Sequence, residues 1–258
     1  MIFKRAIAKL RAQDWLAIVI ELVIVIVGVF VGTWVANWNQ GRESQAETRK
    51  MIARLDPTLR QVTDYFQSAR TYFATTRAYS NTAIAGWRGD PRVSDASFVI
   101  AAYQASQIQT LGINGSVWST ILGTDRLREI DDPKLRTDLT LLMTSDYTQF
   151  DNAALDTPYR HNVRRVIPVE IQDAIRKQCG DRHDTLAVLT LPPTCKIAIP
   201  PADAAKAAAI LRRHPELLED LQWQIAAIAA FLDNIVPVET AALRIKRERD
   251  QRHTPGIR

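Results

Sequence analysis

The chain opens its hydrophobic pattern with one long apolar run and then settles into a repeat of three and four. Residues 15–38 read WLAIVIELVIVIVGVFVGTWVANW, with one charge, Glu21, among them. From Leu16 to Ala36 the run is about 21 residues, which at about 1.5 Å per residue matches a hydrocarbon core roughly 30 Å thick. Trp15 at one end and Trp34 and Trp38 at the other stand where indole rings partition between acyl chains and headgroups. A cleaved signal peptide needs a shorter apolar region and small residues before the cut, so the pattern predicts an uncleaved signal anchor over 15–38.

Beyond Asn39 the apolar and small positions Ile52, Leu55, Leu59, Val62, Phe66, Ala69, Phe73, Thr76, Ala83 and Trp87 alternate at three and four, the seam of a long, coiled-coil-like helix. Pro57 predicts a kink, or a fresh helix start capped by Asp56. GDPRVSD at 89–95 is a turn, with Ser94 or Asp95 capping the next helix. Gly112 to Gly115 break that helix, and a short one follows near 116–122. DDPKLRTDLTLLMTSDYTQF starts at an Asp-Pro and buries Leu135, Leu139, Leu142, Tyr147 and Phe150. A further helix covers about 158–178, bent or restarted at Pro168. Two last helices follow, the second starting at Pro215, with Leu218, Leu221, Ile225, Ile228, Leu232, Ile235 and Ala242 at the same three-four spacing. Two stripes at opposite ends of the chain pack most simply on each other, so the expected fold is all-α: a transmembrane helix continuing into a helical bundle with long antiparallel helices. TLAVLTL at 185–191 alone has period two. The expected organisation is a basic cytoplasmic tail over 1–14, the anchor over 15–38 and a helical extracytoplasmic domain over 39–258.

Charge alters this picture little. Lys and Arg exceed Asp and Glu by 33 to 28 in 258 residues, but the signs are interspersed, which describes a solvated surface and argues against nucleic acid as a partner. Basic residues tie across the span: Lys4, Arg5, Lys9 and Arg11 before it, Arg42, Arg49, Lys50 and Arg54 after. The two cysteines break the tie. Cys179 and Cys195 bracket CGDRHDTLAVLTLPPTC; a disulfide there removes roughly 3 kcal/mol of denatured-state entropy and persists in an oxidising compartment. The expected location is the bacterial inner membrane, N-terminus in the cytoplasm and main domain in the periplasm; two free thiols in a cytoplasmic domain are the alternative.

On a helix, Glu21, Gly28, Gly32 and Ala36 share one face, and Gly28 with Gly32 forms a GxxxG that lets helix backbones approach closely in lipid. This is the candidate association face, for a second copy or another membrane protein. Glu21 would be protonated and bonded across that contact, paired with a base, or turned toward the headgroups.

ELVIVIVGVFVGTWVANWNQGRE resembles the N-terminal anchor of a family of uncharacterised single-pass bacterial membrane proteins, whose pattern is a Glu, an apolar run, G-V-F-x-G and N-W-N; here these are Glu21, Gly28, Val29, Phe30, Gly32, Asn37, Trp38 and Asn39. The similarity continues through YQAS at 103–106, VWSTILGTDRLREIDDPKLRTDL at 117–139 and YRHNVRRVIP at 159–168. The resemblance implies one membrane pass and a helical outer domain, and transfers no activity.

Chemistry is sparse. His161, His183, His214 and His253 form no HExxH, and there is no GxSxG, P-loop or dinucleotide-binding glycine pattern. Cys179, His183 and Cys195 could hold zinc, against which stands the simpler disulfide, so no metal and no cofactor is expected. YRHNVRR at 159–165 sets Arg160, Arg164 and Arg165 on helix faces, a possible anion-binding cluster of Arg forks beside the plainer reading as solvated charge. RIKRERDQRH at 244–253 reads as a charged helix end. The expected role is a membrane-anchored interaction or scaffold module; the alternative is an anchored sensory or anionic-ligand-binding domain, and an anchored enzyme ranks third.

Overall fold

The computed structural model describes residues 15–109, 127, 130, 132–145, 156–184 and 188–253. The expected basic tail over 1–14, the break at Gly112 to Gly115, the short helix near 116–122 and the burial of Tyr147 and Phe150 fall outside them. The described residues form eight helices and one two-stranded ribbon: α1 Trp15–Trp87, α2 Asp95–Ala105, α3 Pro133–Thr144, α4 Pro158–Val166, α5 Val169–Cys179, β1 Arg182–His183, β2 Leu189–Thr190, α6 Pro201–Arg212, α7 Glu216–Asn234 and α8 Val236–His253. The fold is all-α.

α1 is a single helix of 73 residues, about 110 Å long, and Pro57 lies inside it. The expected break at Pro57 is absent. An interior proline costs about 3 kcal/mol, but Leu55, Leu59 and Val62 on either side of it are all fully buried on one face. Each such burial contributes roughly 1.5–3 kcal/mol, so together they hold the helix through the proline. Asp56 starts no new helix and pairs with Arg60 one turn on.

The first part of α1 holds Val19–Glu43, a stretch long and apolar enough to cross a membrane, none of which is buried among the described residues. At its far end Trp34 stacks on Trp38, and the Arg42 guanidinium lies 5.3 Å from the Trp38 ring. From Leu55 onward the helix enters the bundle. Leu59, Val62, Phe66, Ala69, Phe73, Thr76 and Ala83 are buried as their spacing predicts, joined by Tyr65, Tyr72 and Tyr79, which recur every seventh residue and widen the buried face. Buried Ser80, the polar gap in the seam, bonds to the Thr76 carbonyl and leaves no orphan donor.

α1 ends in the expected turn. Gly89 takes a left-handed φ of +74°, Asp90 holds the Arg92 amide, and Ser94 caps α2 by accepting from the Ser97 amide. α2 is enclosed from Phe98 to Ala105. It lies so close to α1 that a Cβ on Gly86 would stand 2.2 Å from the Phe98 ring. α3 starts at Asp132, whose carboxylate accepts from Lys134 and Leu135.

The last helices number three instead of the expected two. Pro237 has no N–H for the Asp233 carbonyl, and the helix is interrupted there at Ile235. Three contacts fix the direction: Trp87 donates to the Leu211 carbonyl, Phe73 meets Phe231 edge to face, and Arg70 grips Glu239. Numbers rise along one partner as they fall along α1, so α7 and α8 descend antiparallel to it. Glu216–Glu248 is also apolar enough to span a bilayer. Its apolar stripe, however, packs in the bundle core through Leu217, Leu221, Ile228, Phe231, Ile235 and Ala242, while Glu219, Asp233, Arg244 and Arg247 line its outside.

Candidate functional site

Two regions carry the candidate chemistry, and the first is the anchor face. Glu21, Gly28, Gly32 and Ala36 are all exposed along α1, and a Cβ at either glycine would meet nothing within 4 Å. Among the described residues nothing packs on this face.

The second region forms where the C-terminal end of α2 meets α4 and α5. A buried helix end leaves carbonyls without intrahelical donors, and here side chains supply them. Tyr159 donates to the Ala102 carbonyl at 2.7 Å, Gln224 to Ala105 at 2.6 Å and Arg160 to Ser106 at 2.8 Å. Arg164 donates through Nε to the Ser106 hydroxyl at 3.0 Å and through Nη2 to Gln107 Oε1 at 2.8 Å, with its guanidinium 5.0 Å from the Tyr103 ring. Positive charge at a helix C-terminus also complements the macrodipole.

Arg160 and Arg164 are thus brought together, one turn apart on α4, whereas Arg165 stands on the exposed face away from them. The structure adds residues that sequence spacing did not nominate. Tyr103 is fully buried, and its hydroxyl makes no well-formed hydrogen bond among the described residues. Arg176, on α5, lies beside that hydroxyl while bonding to Asp173. Asp181 faces Tyr72, Arg160 and Arg164; although the residue is exposed, crowding around its carboxyl raises its pKa above the ordinary carboxylate value. Burial, reinforced by the Arg160 charge, lowers the Arg164 pKa. No three- or four-residue repeat links α2, α5 and the ribbon, so no periodicity signals this meeting.

The disulfide joins Cys179, at the end of α5, to Cys195, with Cα atoms 5.5 Å apart. Both thiols are therefore committed, and the zinc arrangement with His183 is excluded because a disulfide sulfur offers no thiolate. The loop it closes is stitched to α1: Ser68 Oγ donates to the Leu189 carbonyl at 2.8 Å and accepts from the Leu189 amide, and Tyr79 donates to the Pro192 carbonyl at 2.9 Å. TLAVLTL contributes β2, paired antiparallel with β1.

An open groove of about 630 Å³ lies at the top of α1, lined by Asn81, Ile84, Ala85, Arg88, Gly89, Asp90 and Pro91. Its carboxylate, Asp90, is held at a pKa of about 2 by Arg92 and brings no base near neutrality. Among the described residues, no three His, Cys, Asp or Glu side chains gather at metal-binding distance. His161 pairs with Asp156 and His214 with Glu216. Comparison of the chain with family models, curated proteins and solved structures found no match.

Proposed function

We propose that the protein is a membrane-tethered interaction module, anchored in the bacterial inner membrane with its bundle in the periplasm and self-associating through the anchor face of α1. The observation that carries this reading is the continuity of α1 from the apolar stretch to the top of the bundle. At 100° per residue, Glu21, Gly28, Gly32 and Ala36 lie roughly 150° around the axis from Leu55, Leu59, Val62, Phe66 and Phe73. The small face and the bundle thus sit on opposite sides of one rod. Two anchors pairing through Gly28 and Gly32 would carry their bundles outward, free of mutual obstruction and open to envelope partners. Between Trp38 and Leu55 the helix rises about 25 Å, setting the bundle off the headgroups. The disulfide supports an oxidising compartment for the bundle.

The test replaces Gly28 and Gly32 with Leu in the full-length chain and reads self-association in a membrane two-hybrid or energy-transfer assay. The double substitution lowers the signal strongly; a signal equal to wild type refutes pairing by this face. Glu21→Gln retains the signal if Glu21 bonds as a neutral group across the contact, and loses it if a charge pair is needed.

A further inference from the structure

Arg164 is a half-buried guanidinium with no carboxylate within ion-pair distance among the described residues. Buried charge is costly unless paired, and the neighbouring ion pairs leave this one out. Arg160 reaches Asp156 at 3.8 Å and Arg176 bonds Asp173, while Arg164 has the neutral oxygens of Ser106 and Gln107. Capping α2 uses Nε and Nη2 of Arg164 and Nη1 of Arg160, and each guanidinium keeps a further amino group to offer an acceptor. Tyr103 adds a second group in want of a partner. Its fully buried hydroxyl is unpartnered, beside Arg176 and on the ring that Arg164 covers. Three guanidiniums, which can only donate, thus gather around a buried phenol that has a proton to give.

We propose that Arg164, Arg176 and the Tyr103 hydroxyl, with Arg160 at the rim, bind a small oxyanion: a carboxylate or phosphate group gripped by guanidinium forks. Such an acceptor matches the forks in shape, gives Arg164 the direct ion pair it lacks and completes the Tyr103 hydroxyl. Asp181 faces Arg160 and Arg164 from the ribbon side and carries the competing negative charge, so the incoming anion takes over contacts that Asp181 satisfies incompletely. This site is independent of anchor pairing, and either stands if the other fails.

The test is calorimetric titration of the full-length chain in a neutral detergent, with sodium succinate and with inorganic phosphate, against sodium chloride at matched ionic strength. The expected result is saturable binding of at least one of the two beyond chloride; tighter succinate marks a carboxylate ligand and tighter phosphate a phosphate group. Tyr103→Phe keeps the ring under Arg164 and weakens binding on the order of 10-fold, the loss of one charge-assisted hydrogen bond. Its unfolding midpoint without anion is equal to or above wild type, because the deleted hydroxyl had no partner. Arg164→Gln weakens binding further, and Arg165→Gln leaves it unchanged. The proposal is overturned if neither anion binds beyond chloride, or if Tyr103→Phe binds as tightly as wild type.

Discussion

Arg244 on α8 and Asp138 on α3 make an ion pair that ties α3 to the end of the bundle. The Asp138 side chain is 7% exposed and the Arg244 side chain 48%. The two meet as a fork, Arg244 Nε to Oδ2 at 2.7 Å and Nη2 to Oδ1. Removing one member of a buried pair costs about 3–5 kcal/mol, because the other charge stays behind uncompensated. Water reaches the Arg244 side of this pair, so Arg244→Ala is expected to destabilise by about 2–3 kcal/mol. That corresponds to a midpoint lowered by roughly 4–12 °C for a domain of this size. Arg244→Lys keeps the charge and loses the fork, and falls between. Asp138→Leu combined with Arg244→Leu removes the stranded charge and returns most of the loss. The assay is urea and thermal unfolding of the full-length protein in one detergent, followed by far-ultraviolet circular dichroism. An Arg244→Ala protein within 0.5 kcal/mol of wild type, or a double variant no better than Arg244→Ala, would refute the reasoning.

Other outcomes follow from single contacts. Cys195→Ser opens the disulfide-closed loop and lowers stability by about 3 kcal/mol, measured with and without reductant; wild type then loses the same amount on reduction, and a reductant-insensitive wild type contradicts it. The raised Asp181 pKa means that the folded state binds its proton more tightly than the unfolded state, so this group's penalty grows as pH rises through the folded pKa. Asp181→Asn therefore stabilises at pH 7, and the difference shrinks toward zero below the ordinary carboxylate pKa; unfolding midpoints at pH 7 and pH 3.5 decide it. Gly86→Ala gains roughly 0.5–1 kcal/mol of helix propensity but drives a methyl into Phe98. Overpacking costs about 1–3 kcal/mol, so net destabilisation is expected, and Phe98→Ala in the same chain relieves the added strain.

Local, periodic signals proved legible. The α1 seam from Leu55 to Ala83, the turn at Gly89, the Ser94 and Asp132 caps, the restart at Pro168 and the Cys179–Cys195 bridge each rest on residues close in sequence or on the scarcity of thiols. Prolines were ambiguous because a proline's cost is local while its compensation is not. Pro57 is overridden by a continuous buried face, and Pro237 interrupts a helix whose packing continues past the break.

The anion-site candidate shows the same division. Spacing alone places Arg160 and Arg164 on neighbouring turns. It cannot say that Arg165 faces outward or that Arg176 and Tyr103 come from other helices, because those side chains are 12 and 61 positions from Arg164. The sequence by itself determined the apolar span, the helical class and the identity of the stripes, since these follow from residue type and helical period. The tertiary structure decided that α1 is one unbroken helix through Pro57, that Arg165 faces outward while Arg164 is half-buried, and that Arg164 bonds neutral oxygens instead of a carboxylate. Each of these depends on which distant side chains crowd around a position, and only packing sets that.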